Sequence, residues 1–473
     1  MIPTKKTKIV CTIGPKTESE EALIKLLKAG MNVMRLNFSH GDFDEHSRRI
    51  KNLKLASEKT GVEAAILQVL AGPKIRIGKF KADTVVLKKD SEFVITTDET
   101  EGDENRVSVN YPNFSKEISK GNTIYLHDGQ EKLQVTEVNG NDVICKVLIG
   151  GEIRNMQGVN LPDADLSITA LTEKDKEDLK FGLENKVDFV ALSFVRSPKD
   201  ILNLREILNN AKSEAKIIAK IETPQAIKNI DEIISEADGI MVARGDLGIE
   251  VSPEQVPALQ KMIIKKCNEV GKPVITATQM MESMIESPVP TRAEVSDVAN
   301  AIIDGTDAVM LSEETALGEY PEETVLEMAR VALCVEEEIA KKELTQNVPD
   351  EEIPERGELV TSSVAKIANK INAKYIVCLT RSGNSARLVS RFKPYQPIIV
   401  FTPNEVTFRQ LLLSFGTYPV LVDEFENQED ALKMVKQFLH DKKLADHGDK
   451  IVVVSGSPFK ENAHNNMMLV ESI

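Results

Sequence analysis

The chain switches between two hydrophobic rhythms. Short apolar, β-branched runs that end in small, polar or charged residues recur along its first two-thirds: KIVCTIG, NVMRLNFSH, EAAILQVL, DFVALSF, KIIAKIE, GIMVARGD, KPVITATQ and DAVMLSEE. Their length and residue types read as strands. Between most of them lie amphipathic segments such as ESEEALIKLLKAG, PQAIKNIDEIISEA and RAEVSDVANAIIDG, apolar at helical spacing with Gly or Asp near their ends. Eight such units predict a closed (β/α)8 TIM barrel. A doubly wound open sheet also alternates strands and helices, but the count of eight favours the barrel.

The rhythm changes between the third and fourth runs. From 73 to 165 the text becomes short alternating stretches with turn signals, DTVVLKKDSEFVITTDE and GNTIYLHDGQEKLQVTEVNGNDVICKVL. This predicts an inserted small β-barrel lid domain, leaving the barrel at the face where barrel enzymes keep their chemistry. The barrel itself is then 1–72 and 166–345. A helical stretch, ETVLEMARVALCVEEEIAKKEL, leads through the charged linker QNVPDEEIPERGE into a C-terminal α/β domain at 346–473. Its strands are KYIVCLT, PIIVFT, YPVLV and a final IVVVSG, with helices TSSVAKIANKI, SARLVSRF and VTFRQLLLSF between them.

A chain of 473 residues is longer than one core usually organises, which agrees with two or three domains. A net charge of −15 repels nucleic acid and anionic lipid, so an anionic ligand has to meet locally placed cations. No stretch approaches the ~18 apolar residues of a membrane span, and the start MIPTKKTKIVCTIGP has no long apolar core, so a cytoplasmic protein is expected. The cysteines Cys11, Cys145, Cys267, Cys334 and Cys378 are scattered and read as buried reduced thiols. They form no CxxC or Cys/His cluster, which argues against zinc.

In a barrel the residues just past each strand share one rim. The second run delivers Arg35, Asn37, Ser39 and His40; the fifth delivers Lys220 and Glu222; the sixth delivers Arg244 and Asp246; the seventh delivers Thr278. Glu222 and Asp246 come from adjacent strands and pair two carboxylates, the donors a Mg2+ ion prefers when substrate phosphate completes its shell. Lys220 stands where an apolar side chain is the default. A buried ammonium is costly without partners, and beside a metal and a phosphate it has them. Gly245 lets main-chain N–H groups approach an anion. Ordinary loop acids, a snorkelling lysine and a helix cap at Thr278 are the alternative readings of these residues one at a time.

Taken together, KIVCTIGP, MNVMRLNFSHG, GPKIRIG, GVNLP, KIE, ADGIMVARGDLG, TATQMMESM and PTRAEVSDVANAIIDGTDAVMLSEETALGEYP closely resemble pyruvate kinase, in order along the chain. The resemblance implies transfer of the phosphoryl group of phosphoenolpyruvate to ADP, giving pyruvate and ATP, the last step of glycolysis, with Mg2+ or Mn2+ as cofactor. It implies that Glu222 and Asp246 bind Mg2+, that Lys220 stabilises the phosphoryl transfer and the enolate, and that Arg35 holds the phosphoryl group. Gly245, Asp246 and Thr278 would hold the substrate carboxylate, with Thr278 near the proton-transfer step. Arg76 and the Asn37, Phe38, Ser39, His40 loop would face the nucleotide. A homotetramer is expected on the same ground.

The chain departs from the family pattern at several points. The potassium ion of most members is held by residues matching Asn37 and Ser39 plus an Asp-Thr pair, which here reads Val69-Leu70, leaving the Leu70 carbonyl; Lys74 stands where many members have Glu. The Lys74 ammonium is expected to replace the potassium charge, so that K+ is not required, as in the potassium-independent branch that this lysine resembles. Gln157 replaces a usual Lys before GVNLP, which predicts weaker nucleotide binding, and His127-Asp128-Gly129 replaces Asp-Asp-Gly. Thr380, Arg381, Ser382, Gly383, Asn384 and Ser385 join a strand to a helix start and match the family's phosphosugar effector pocket. The segment SGSPFKENAHNN lacks the Gly-Thr-Thr-Asn run usual there. Two competing functions follow from the residues: a Mg2+-dependent barrel lyase acting on pyruvate-like enolates without ADP, and a degenerate kinase kept as a binding module.

Overall fold

The structure, a computed structural model, describes residues 5–164, 166–343, 356–424, 427–456 and 465–473. The expected junction at 345/346, much of the charged linker and most of SGSPFKENAHNN lie outside them.

Eight parallel strands close into a barrel: β1 (Lys8–Thr12), β2 (Val33–Asn37), β3 (Ala65–Val69), β4 (Phe189–Leu192), β5 (Lys216–Ile221), β6 (Gly239–Ala243), β7 (Val274–Ala277) and β8 (Ala308–Leu311). Each expected run supplies one of them. Side chains alternate with period two. Val10, Val33, Ile218, Met241 and Ile275 fill the interior, while Ile9, Met34, Ile217, Ile240 and Val274 pack against the helices. That alternation aims Thr12, Arg35, Lys220 and Glu222, each two residues beyond an interior position or a further two, into the mouth of the barrel.

The interior is closed from below by the C-terminal domain. Leu412 and Leu413 join the apolar cluster of the barrel strands. Polar contacts ring this plug: Arg409 Nε donates to Asp188 at 2.8 Å, the Phe415 N–H donates to Asp307 at 2.9 Å, and Lys8 Nζ donates to the Thr417 carbonyl at 2.6 Å.

Between β3 and β4 the chain forms a six-stranded sheet in the order Val159–Asn160, Thr123–Leu126, Glu131–Asn139, Asp142–Ile149, Glu92–Thr96, Arg106–Ser108. A two-stranded ribbon, Thr84–Val86 with Glu152–Arg154, lies beside it. Phe93, Phe114, Ile124, Leu133 and Val147 give this insertion its own core. The C-terminal domain is a five-stranded sheet in the order Thr417–Leu421, Ile398–Thr402, Tyr375–Leu379, Lys450–Gly456, Asn465–Ser472.

Three expectations need correction. Lys450–Gly456, the IVVVSG run, is not the final strand: Asn465–Ser472 adds antiparallel to it at the sheet edge, where its short apolar run MMLV stays partly exposed. PQAIKNIDEIISEA is two helices, Pro224–Lys228 and Ile230–Glu236, because Asn229 leaves the helical region and donates its side-chain amide to the Arg196 carbonyl at 2.8 Å. Four of the free cysteines are buried as expected, but Cys334 is exposed on the outer side of the helix Pro321–Glu343.

Candidate active site

One carboxylate-ammonium pair and a buried arginine organise the mouth. Lys220 Nζ lies 2.6 Å from Glu222 Oε1, with Glu222 fully buried. The same ammonium donates to Ser193 Oγ at 2.8 Å, and Ser193 donates to the Leu70 carbonyl at 2.7 Å. Glu222 Oε2 accepts the Phe194 N–H at 2.7 Å, whereas Oε1 receives no hydrogen bond of good geometry. Burial raises the Glu222 carboxyl above the ordinary glutamate range; the Lys220 charge opposes this and the Asp246 charge adds to it. Arg35, also buried, donates to Thr12 Oγ1 at 2.9 Å and leaves its Nε without a partner. Desolvation pulls its pKa down to about 10 against the pull of Glu222, Asp246 and Glu314, so it stays charged at neutral pH.

Gly245 and Asp246 open the short helix Arg244–Glu250 directly after β6. The Gly245 N–H donates to Thr278 Oγ1 at 2.8 Å. Thr278 has φ of 71° and Gln279 φ of 55°, left-handed backbone that a β-branched residue rarely adopts. Arg244 explains how that shape is held. Its guanidinium donates to the Ala277 carbonyl at 3.2 Å, the Thr278 carbonyl at 2.7 Å and Asp297 at 2.7 Å.

The expected nucleotide face is a separate part of the rim. Ser39 N–H donates to Asn37 Oδ1 at 3.3 Å, and Arg76 donates to the Met156 carbonyl at 2.7 Å. The Phe38 ring is buried, stacked on His46 at 4.0 Å between centroids and packed against Phe181, so this residue lends the rim its backbone rather than its ring. The His40 imidazole is pulled below its ordinary value by desolvation and then by Lys74, Arg76 and Arg35, which marks this corner as cationic. Lys74 is itself pulled below the usual lysine range, first by desolvation and then by Arg76 and Lys220, with Asp246 and Glu222 opposing. A cleft of ≈ 450 Å³ between lid and barrel is lined by Lys74, Arg76, His127, Asp128, Gln157, Arg196, Asp246 and Glu250. Gln157 Oε1 accepts the Arg154 N–H at 2.8 Å.

The Thr380–Ser385 loop lies in the C-terminal domain, away from this mouth. Gly383 takes φ of 78°, its N–H donates to Thr380 Oγ1 at 3.1 Å, and Arg381 pairs with Glu424 at 3.0 Å. Several residues of the mouth escaped the sequence analysis. Thr12 ends the first barrel strand, and Ser193 and Glu314 come just after the fourth and eighth, the same strand-end signal that singled out the other rim residues. Glu314 is buried and accepts the N–H groups of Ser312 at 2.6 Å and Met281 at 3.2 Å. Among the described residues no group of three or more His, Cys, Asp or Glu side chains forms a metal cluster.

A (β/α)8 barrel whose roofed mouth gathers the buried cations Arg35 and Lys220 with Glu222, within the field of Asp246, has the form of a barrel phosphotransferase. The family model described as pyruvate kinase, barrel domain, matches residues 4–325, and that for the pyruvate kinase alpha/beta domain matches 358–471. A pyruvate kinase from Thermococcus litoralis is 44% identical over all of this chain and 99% of its own length. One from Geobacillus stearothermophilus is 44% identical over 99% of this chain and 80% of its own length. A crystal structure of a pyruvate kinase from Cryptosporidium parvum superposes with a TM-score of 0.93 at 36% identity, covering 99% of this chain and 96% of that one.

This chain belongs to the pyruvate kinase family. Its activity is transfer of the phosphoryl group of phosphoenolpyruvate to ADP, giving pyruvate and ATP, and it depends on a divalent metal. Among the described residues no helix is long and apolar enough to cross a membrane.

Proposed function

We propose that the transfer occurs at the barrel mouth with Glu222 and Asp246 as the ligands of a Mg2+ or Mn2+ ion. The observation that carries this reading is the fully buried Glu222 carboxylate, whose Oε1 has the Lys220 ammonium as its one close partner and which feels the Asp246 charge as well. A buried carboxylate beside a second one, with a single ammonium as its direct partner, leaves negative charge that a further cation offsets. When bound there, a divalent ion supplies charge neutralisation at the phosphoryl and enolate oxygens.

The chain's own groups do the rest. Arg35, buried beside Thr12 with its Nε unpartnered, grips the phosphoryl group. Lys220, fixed between Ser193 and Glu222, neutralises charge as the phosphoryl group leaves the enol oxygen and the enolate forms. The Gly245 and Asp246 backbone and the Thr278 hydroxyl hold the substrate carboxylate, and Thr278 sits by the carbon that gains a proton. Arg76 and the Asn37 to His40 loop face the ADP phosphates. The insertion at 73–165 acts as the lid that keeps water from the phosphoryl group.

The potassium site of most relatives does not fit this chain. Val69 has no side-chain oxygen, so one ligand is missing, although the Leu70 carbonyl and Asn37 Oδ1 each keep a lone pair beside the bonds they accept from Ser193 Oγ and Ser39 N–H. Lys74 supplies the missing positive charge instead, which makes K+ unnecessary. The Thr380–Ser385 loop is assigned to a phosphosugar effector, the working form to a cytoplasmic homotetramer.

Pyruvate formation from phosphoenolpyruvate and ADP with Mg2+, for the wild type, Lys220→Ala and Glu222→Gln, tests the site. Turnover in the wild type that both substitutions lower by about 10²-fold or more supports it. Activity kept by either variant sinks the role given to that residue, and pyruvate formation without ADP points to a lyase.

A further inference from the structure

Two groups where the lid returns to the barrel meet a residue outside every role given above. The side-chain amide of Asn160 donates to Glu250 Oε1 at 2.8 Å, and the Leu161 N–H bonds the same carboxylate. Glu250 ends the helix Arg244–Glu250, whose first turn carries Gly245 and Asp246. One residue earlier, Ile249 faces the lid tip: a Cβ at Gly129 would lie 3.5 Å from its Cγ2. The lid strand Thr123–Leu126 pairs with Val159–Asn160 and runs straight into that tip, where His127 and Asp128 take φ of 48° and 53°.

Both lid elements therefore bear on one end of a seven-residue helix, and the substrate-binding backbone forms its other end. At about 1.5 Å per residue the two ends are only ~9 Å apart. A helix this short moves as one body.

We propose that Glu250 is a positioning residue for the transfer: it latches the lid hinge to the helix that holds Gly245 and Asp246, so that lid closure and placement of the substrate-binding backbone occur together. The inference rests on the substrate role given to Gly245 and Asp246. Glu250 touches no reacting atom. A carboxylate suits the task because it accepts from two donors at once, the Asn160 amide and the Leu161 N–H. The Arg196 charge attracts it and the Asp246 charge repels it, which favours its lean toward the hinge.

A double-mutant cycle on the full chain tests the latch, read in the KM for ADP, kcat, and the ratio of phosphoenolpyruvate hydrolysed by water to that transferred to ADP. Asn160→Ala and Glu250→Ala each raise the KM for ADP about tenfold, near the loss of one hydrogen bond to a charged group. Each also raises the hydrolysis ratio, because a lid that is not seated admits water. The double variant matches Glu250→Ala, since the shared contact is lost only once. Glu250→Gln, which keeps an acceptor for Asn160, stays near the wild-type KM.

Additive effects in the double variant overturn the latch, as do single variants with wild-type KM and hydrolysis ratio. If Glu250→Ala does not fold, Asn160→Ala and Glu250→Gln decide between the same outcomes. Full activity in Asp246→Asn would instead overturn the substrate reading beneath it.

Discussion

The Lys220 ammonium stands 2.6 Å from Oε1 of Glu222, and that fully buried oxygen receives no hydrogen bond from elsewhere. The two residues are two apart at the end of β5, so the pleat puts both on its inner side. Removing two such charges from water costs more than their attraction returns in most interiors. The pair is therefore poor evidence for stability and good evidence for a bound cation and anion.

Lys220→Met leaves Glu222 as an unpaired buried acid. Its carboxyl, already raised by burial, then rises further, because the opposing lysine charge is gone. A divalent ion must displace that proton, so Mn2+ affinity falls and becomes tighter with rising pH. Pyruvate formation drops by about 10²- to 10³-fold, the usual worth of one preorganised charge at the reacting group. Mn2+ titration followed by electron spin resonance at several pH values checks the first part, and wild-type affinity with no pH dependence would count against it.

Equal rates are expected in sodium-only and potassium buffers, because Lys74 carries the charge that a potassium ion supplies elsewhere. Lys74→Glu lowers kcat in sodium by at least about tenfold, equivalent to about 1.4 kcal/mol of lost charge stabilisation. Potassium does not restore that variant, since Val69 still offers no oxygen. A strong K+ requirement in the wild type refutes the assignment.

What was legible in the sequence follows from which interactions are local. The barrel strands declare themselves as apolar runs, and the two-residue period that places Ile218 inside also places Lys220 and Glu222, so this part of the site could be read directly. Asn160 and Glu250 are 90 positions apart and meet only because the insertion folds back over its own barrel. Leu412 and Leu413 look like any helix-end leucines until the C-terminal domain docks beneath the barrel. Arg244 was read as a rim cation from its position, yet its side chain turns to backbone carbonyls one strand away. Contacts between elements decide these cases, and neither periodicity nor spacing carries them.

That turn of Arg244 has a measurable effect. Thr278 at φ of 71° holds about 1 to 3 kcal/mol of backbone strain, and the guanidinium fork on the Ala277 and Thr278 carbonyls keeps it there. Arg244→Lys loses the fork. The loop then relaxes, the Thr278 hydroxyl leaves the Gly245 N–H, and kcat/KM for phosphoenolpyruvate falls about 10²-fold through misplacement. The melting temperature moves little, because released strain offsets the lost hydrogen bonds. Steady-state kinetics beside thermal melts separate this from a folding defect: a variant that loses stability and activity in step would reject the positioning role.

Stability should rise with pH above neutrality, and the cause lies at the barrel floor. Lys8 is buried, with its Nζ donating to the Thr417 carbonyl at 2.6 Å and lying 4.9 Å from the Tyr418 ring centroid. Desolvation, helped by the nearby Lys5 charge and opposed by Glu336 and Asp307, pulls its pKa from 10.5 down to about 7. The unfolded chain thus holds the proton more tightly than the folded one between about 7 and 10.5, and stability increases across that window as the folded ammonium is neutralised. Below about 7 the ammonium is charged in both states and the full cost of burying it remains. Lys5, lowered to about 8, adds the same sign in the upper part of the window. Glu250, raised to about 7, acts with the opposite sign and only below that pH, so the two effects occupy different ranges. Lys8→Met removes the Lys8 share: in denaturant melts at a series of pH values its slope above neutrality is shallower than that of the wild type, and an unchanged slope would show that the lysine is not charged and buried as described.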